Sequence, residues 1–235
     1  MISNIPKWMI GLFGNKLAPN VKVISTIFLS PQVKKISFRG DISEWDFTIG
    51  YASVIRVSET EFRNYTISYH DKENGVFEII FHIHGNGTGS KFVDSLKVSD
   101  ELFISPPRGK KLYETNKQQF FSGDETSLGV ACAWLPLLKK NQQQFQFYFE
   151  LDEINKNVPE CLGLENYTVF PKNNSFRNEK WISTLPLFQS QQWKTANIAL
   201  VGNVRSVQAF RKVLKDKKLG TIYSQGYWLE GKKGL

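Results

Sequence analysis

Val76-Phe77-Glu78-Ile79-Ile80-Phe81-His82-Ile83-His84-Gly85-Asn86-Gly87-Thr88-Gly89-Ser90 reads as a strand, a glycine-rich turn and the start of a helix. The first eight residues are rich in β-branched and aromatic side chains. The glycines then let the backbone bend and approach a ligand closely. A possible helix, Ser90-Lys91-Phe92-Val93-Asp94-Ser95-Leu96-Lys97, follows, and a helix start offers unpaired N–H groups to a phosphate. Lys91 does not directly follow the last glycine, so this is not a P-loop. The Gly-x-Gly-x-Gly spacing and Ser105-Pro106-Pro107-Arg108 downstream do not make a dinucleotide fingerprint either. A pyrophosphate cradle and a plain glycine turn at a strand end both remain open.

Upstream, strands dominate: Val21 to Leu29, bounded by Pro19 and Pro31, then Gly50 to Val57 and Tyr65 to Tyr69. Asp71-Lys72-Glu73-Asn74-Gly75 joins Tyr65–Tyr69 to Val76–Ile83 as a hairpin, Asn-Gly being the turn signal. Glu101 to Ile104 is a further strand before Pro106-Pro107. Short strands with one helical interruption predict a small antiparallel barrel of the six-stranded type. Beyond about residue 112 the pattern alternates. Strands are expected at Gln119–Ser122, Phe145–Leu151, Tyr167–Phe170 and Ala196–Val201, with a last strand in two pieces, Thr221–Tyr223 and Gly226–Trp228. Helices are expected at Glu125–Lys140, with Leu128, Cys132, Leu135 and Leu138 on one face, and at Arg205–Lys218, with Val207, Phe210, Val213 and Leu214 inward. Such alternation predicts a parallel sheet with crossover helices. The expected fold class is therefore β + α/β: an N-terminal antiparallel β barrel over residues 18–112, then a small α/β domain with a parallel sheet over 113–235.

The longest apolar stretch, Val130 to Leu138, is nine residues with Pro136 inside, and a spanning helix needs about twenty. No membrane partner is expected. Cys132 and Cys161 are the two cysteines, too few for a disulfide scaffold or a protein-held iron–sulfur cluster. A reducing, cytoplasmic setting fits, and the start of the chain has no cleavage site of the secretory kind. Thirty Lys and Arg against twenty-two Asp and Glu leave a charge of +8, which favours anionic partners. From Arg205 onward eight cations face Asp216 and Glu230, although a basic helix face is often only solvated.

Arg63-Asn64-Tyr65-Thr66 opens a strand with a fork for a diphosphate, a flat ring for stacking and a hydroxyl for a ring nitrogen. His82 and His84 share a strand face, but His70 is the only other histidine. A first-row metal takes three or four ligands, so no metal site is expected. Gly123-Asp124-Glu125-Thr126-Ser127 stands at the carboxyl end of a parallel strand, where nucleotides bind, although Asp124 and Thr126 also suit plain helix caps. Gly226-Tyr227-Trp228, followed by Lys232 and Lys233, suits either core closure or the lip of a site for an aromatic anion.

Taken in order, Arg63-Asn64-Tyr65-Thr66, His84-Gly85 with its glycine loop, Asp100 before a strand leading to Pro107-Arg108-Gly109, Gly123 to Ser127, and Gly226-Tyr227-Trp228 resemble the siderophore-interacting proteins. These are ferric-siderophore reductases within the ferredoxin–NADP reductase superfamily. Ser68, Phe92, Asn203 and Leu229 stand where that family commonly has Arg, Trp, Glu and Arg. The resemblance implies a ferredoxin-reductase-like fold and bound FAD. It assigns Arg63 to the diphosphate, Tyr65 to the isoalloxazine and Thr66 to its reactive edge. His84, Gly85, Gly87, Thr88, Gly89 and Ser90 would hold the ribose and pyrophosphate. Asp124, Thr126, Ser127, Tyr227 and Trp228 would lie on the electron-donor side, the donor being NAD(P)H or a reduced ferredoxin. The implied substrate is an anionic ferric siderophore, with Arg108, Lys232 and Lys233 in its cleft. Two other readings stand beside it: an FAD-dependent reductase of another substrate, and a basic single-strand nucleic-acid binder on the barrel.

Overall fold

The computed structural model describes residues 17–85, 87–114 and 118–232. The chain divides between Lys111 and Leu112 into two compact units.

The first unit holds β1 (Val21–Ser30), β2 (Val33–Gly40), β3 (Tyr51–Arg56), β4 (Phe62–Tyr65), β5 (Ile67–Asp71), β6 (Val76–His82), helix α1 (Thr88–Ser95), β7 (Glu101–Leu102) and β8 (Arg108–Gly109). The expected closed barrel is corrected to two antiparallel sheets, β5-β6-β2-β1-β7 and β4-β3-β8. The reason lies at Thr66. The stretch expected as one strand breaks there, so that β4 pairs with β3 while β5 pairs with β6. Between the sheets, Ile55 and Ile104 form an isolated bridge. The expected turn before β6 carries Gly75 at φ +64°, where an added Cβ would lie 2.6 Å from the Gly40 carbonyl oxygen.

β2 was not expected from the sequence, yet it lies mid-sheet, between β6 and β1. Lys34, Lys35 and Arg39 interrupt its apolar pattern, and Lys34 is nonetheless buried. Phe38 carries the core here. Its ring stacks on Phe77 at 5.2 Å and meets Phe81 edge-on at 6.4 Å.

The second unit is built on β9 (Gln119–Asp124), β10 (Phe145–Leu151), β11 (Tyr167–Pro171), β12 (Asn197–Asn203) and β13 (Thr221–Trp228). They form one sheet in the order β11-β10-β9-β12-β13, every pairing parallel. β9 and β12 are buried along their whole length, as strands covered on both faces must be. Helix α2 (Leu128–Lys140) follows β9 after a 3₁₀ turn. The short helices α3 (Val158–Cys161), α4 (Glu179–Ile182) and α5 (Pro186–Gln189) precede α6 (Val204–Asp216). α6 buries Val207, Phe210, Val213 and Leu214, as its periodicity requires. On α2 the buried face centres on Val130, Ala131 and Trp134, with Leu128 and Leu138, while Cys132 is only half-buried. β13 runs unbroken because it pairs with β12 from Thr221 to Trp228, a register shift beyond Gly202 absorbing the irregularity.

Truncating Phe38 to Ala should destabilise the first unit by about 3–5 kcal/mol, read as a fall in the urea midpoint. A loss under about 1 kcal/mol would show that this ring is not the centre of the core.

Candidate functional site

In the first unit, β6 ends at His82 and the chain turns through His84 and Gly85, the latter at φ +88° with open space where a Cβ would stand. Gly87 is the residue before α1 and offers no side-chain cap. The first intrahelical bond runs from Lys91 N to Gly87 O at 3.0 Å. The amides of the opening turn therefore have no partner within the helix, and Gly87 brings no side chain to cap them. Ser90 Oγ accepts from His84 N at 2.8 Å and ties the loop to the helix.

β4 delivers the other half of the cluster. A Cβ on Gly89 would stand 2.8 Å from Tyr65 Oη and 3.0 Å from Arg63 Cγ, so only glycine allows this helix start to lie against that strand. Arg63 donates to Phe62 O and to Glu61 Oε1, both at 2.8 Å. Tyr65 packs edge-on against Phe81 with ring centres 4.7 Å apart. Burial pushes its phenol up to about 12, against the pull of the Arg63 guanidinium, so at neutral pH it stays a proton-bearing hydroxyl. Thr66 is half-buried at the break beyond β4. Arg108, exposed on β8, pairs with Ala52 of β3, whose next residue pairs with Tyr65. Two strand spacings separate their backbones, about 10 Å.

In the second unit the strand order reverses at β9, so the carboxyl ends of β9 and β12 border a crevice. The chain fills it with its own side chains. Asp124 Oδ1 accepts from Thr126 N at 2.9 Å and from Thr126 Oγ1 at 2.5 Å. Its Oδ2 accepts from Asn203 N at 2.8 Å and Trp228 Nε1 at 2.7 Å. Ser127 is fully buried and donates to Asp124 O at 2.6 Å. Gly202, at φ +101°, leaves room for this carboxylate, since a Cβ there would lie 2.5 Å from Oδ2. Asn203 in turn caps α6, its Oδ1 accepting from Arg205 N and Ser206 N.

Beside it, buried Glu125 accepts from Asp152 N at 2.7 Å, Asn155 Nδ2 at 3.1 Å and Lys172 Nζ at 2.7 Å. The Lys172 ammonium lies 5.5 Å from the centre of the Trp228 ring. Burial opposes its charge, but Glu125, Asp124 and Asp152 hold its pKa above the ordinary lysine value. Glu230 pairs with Arg177 and accepts from Asn203 Nδ2 at 3.3 Å. Glu150 accepts from Phe176 N at 3.2 Å. Burial pushes the Glu150 carboxyl above the usual range, with Asp124 adding to the rise and Phe176, Arg177 and Lys172 opposing it.

The structure thus brings together Arg63, Tyr65 and Gly89, with His84 and Ser90 joined at the same loop. It also brings together Asp124, Thr126, Ser127 and Trp228, as an internal clasp. Tyr227 is half-buried on β13 and Lys232 is exposed, whereas Lys233 lies outside the described residues. Lys172 and Asn203 were not among the expected site residues. Both stand at carboxyl ends of parallel strands, a signal that Pro171-Lys172 and Gly202-Asn203 carry in the sequence.

Residues 20–113 match the family described as the oxidoreductase FAD-binding domain. Over those residues, fewer than half of the chain, it is similar to that FAD-binding domain, which supports FAD as its cofactor. Solved structures extend the likeness to both units. The siderophore-interacting protein SipS from Aeromonas hydrophila is 20% identical, with a TM-score of 0.73 over 92% of this chain and 94% of that one. A siderophore utilization protein from T. fusca is 18% identical, with a TM-score of 0.71 over 93% and 97%. An H286L mutant of ferredoxin–NADP+ reductase from Plasmodium falciparum is 15% identical, with a TM-score of 0.63 over 88% and 95%. The chain also spans 28% of the length of an intact self-sufficient cytochrome P450 monooxygenase of like fold. No curated protein matches it in sequence. The fold is ferredoxin-reductase-like.

Glu150 gives a pH test of the second unit. A carboxyl whose pKa is raised on folding binds its proton more readily folded than unfolded, so its contribution to stability improves as pH falls toward that pKa. Glu150→Gln should therefore raise the melting temperature at pH 7, and the gain should vanish as pH is lowered through the range where Glu150 protonates. A destabilised variant at pH 7 would contradict this assignment.

Proposed function

We propose that the chain is an FAD-dependent reductase that reduces Fe(III) in an anionic ferric siderophore, releasing Fe(II) in the cytoplasm as a step of iron uptake. The observation that carries this reading is the uncapped start of α1, pressed by Gly89 onto Arg63 and Tyr65, within residues that match an FAD-binding domain. The siderophore half is supported by the solved siderophore-interacting and siderophore-utilization proteins that share the fold. The single-strand nucleic-acid reading draws no comparable support.

The residues fit the cofactor's diphosphate. α1 offers amides and a positive dipole end, the Arg63 guanidinium offers charge, and Tyr65 offers a hydroxyl that stays protonated. The open backbone at Gly85 and Gly87 would give room for the ribose and pyrophosphate, and Thr66, next to Tyr65 in the chain, would face the flavin edge. When bound, FAD supplies the exchange of electrons between donor and iron. Each Fe(III) takes one electron, so one NAD(P)H would serve two chelates. The donor is NAD(P)H or a reduced ferredoxin. Reduced ferredoxin has the better support, because the Asp124 carboxylate and the Asn203 cap occupy the crevice where a dinucleotide pyrophosphate lies in open α/β sheets. Arg108, Lys232 and Lys233 contribute to the +8 excess that concentrates a polyanionic chelate at the protein.

Purified protein supplied with FAD should absorb as a flavoprotein. Reduced anaerobically with NADPH, NADH or reduced ferredoxin in parallel, it should regain its colour on addition of a ferric siderophore, with Fe(II) trapped by a chelator. Reoxidation by other acceptors alone would point to a different reductase on the same scaffold, and absence of flavin binding would remove both. Gly89→Ala should weaken FAD binding about tenfold or more, since its Cβ collides with Tyr65 and Arg63. Unchanged affinity would take the diphosphate away from α1.

A further inference from the structure

Lys34 is 2% exposed, in the middle strand of the five-stranded sheet. Its Nζ donates to Val93 O at 3.1 Å, Asp94 O at 2.8 Å and Leu96 O at 2.9 Å. These are carbonyls at the far end of α1, whose last residue is Ser95 and whose C-cap is Leu96. An ammonium has three protons and no acceptor, so all three are placed. The last carbonyls of a helix lack intrahelical donors and carry the negative end of the dipole. A cation is the side chain that satisfies both conditions. The Phe28 ring lies 5.2 Å from Nζ. Burial lowers the Lys34 pKa, while the Asp94 and Asp100 carboxylates work to keep the charge.

A helix of eight residues is about 12 Å long and is marginal without tertiary support. Val93 and Leu96 anchor α1 in the apolar core, but apolar contact does not fix rotation or axial position. Three directed bonds from one strand residue do. We propose that Lys34 is a positioning residue for the flavin diphosphate: by clamping the C-terminal carbonyls of α1 it aims the helix's open N-terminal amides beside Arg63 and Tyr65. This rests on the reading that the start of α1 receives the diphosphate.

The test compares the full-length protein with Lys34→Met, which keeps length and apolar bulk but donates nothing. Hydrogen–deuterium exchange reads α1 directly. Binding of FAD and of riboflavin, which has no phosphate, is read by flavin fluorescence. Faster exchange across residues 88–96 is expected, with FAD affinity about tenfold weaker and riboflavin affinity unchanged. A merely structural lysine would leave the ratio of the two affinities as it is. Unchanged exchange in α1, or unchanged FAD affinity despite faster exchange, would overturn the proposal. Gly89→Ala then separates the failures. If Gly89→Ala weakens FAD binding while Lys34→Met does not, the diphosphate site stands and only the role of Lys34 falls. If neither weakens it, the site reading falls as well. Should Lys34→Met not fold, Lys34→Gln, which keeps an amide donor on a shorter stem, is judged by the same two readouts.

Discussion

A helix must leave its first amides without backbone acceptors, and how a chain deals with those amides decides what the helix can bind. The two units deal with them in opposite ways. In the second, Asp124 accepts from the turn that leads into α2 and Asn203 accepts from the first amides of α6. In the first, α1 begins after Gly87 with no side-chain cap and lies against an arginine and a protonated tyrosine. Phosphate oxygens complete such a terminus, and FAD brings two phosphates. On the proposed reading, the glycines, the arginine and the buried lysine behind the helix all serve to present that terminus to the diphosphate.

The self-capped edge of the second unit has its own chemical consequence. Asp124 joins three strand ends through Asn203, Trp228 and its own turn, and Lys172 balances the buried Glu125. Carboxylates in these positions hold the sheet edge together and oppose the approach of an anion. On the proposed function, such an edge favours a protein electron donor, while the +8 charge of the chain favours an anionic iron chelate.

Where side-chain pattern and backbone agree, the fold was legible in the residues. Among the parallel strands of the second unit, β10 and β12 carry the longest apolar stretches, and α6 shows its buried stripe at the right spacing. β2 was not legible, because Lys34 and Lys35 stand in a central strand where only apolar residues are expected. Lys34 is buried there because three helix carbonyls receive it, and no local pattern announces a partner about sixty positions away. The break at Thr66 was hidden for a similar reason: the stretch looks like one strand, and only its change of partner reveals two. For the site, the glycine loop and Arg63-Asn64-Tyr65-Thr66 could be read locally. The Asp124–Thr126 cap could be read locally too, but the rest of the clasp could not, since Asn203 and Trp228 come from the ends of two other strands.

The most direct measurement is the affinity of the unaltered protein for FAD set against that for riboflavin, by quenching of flavin fluorescence. If the open amides of α1 and Arg63 hold the diphosphate, FAD should bind at least a hundredfold more tightly, about 2.7 kcal/mol, and the advantage should shrink as salt is raised. Equal affinities for the two flavins would contradict it.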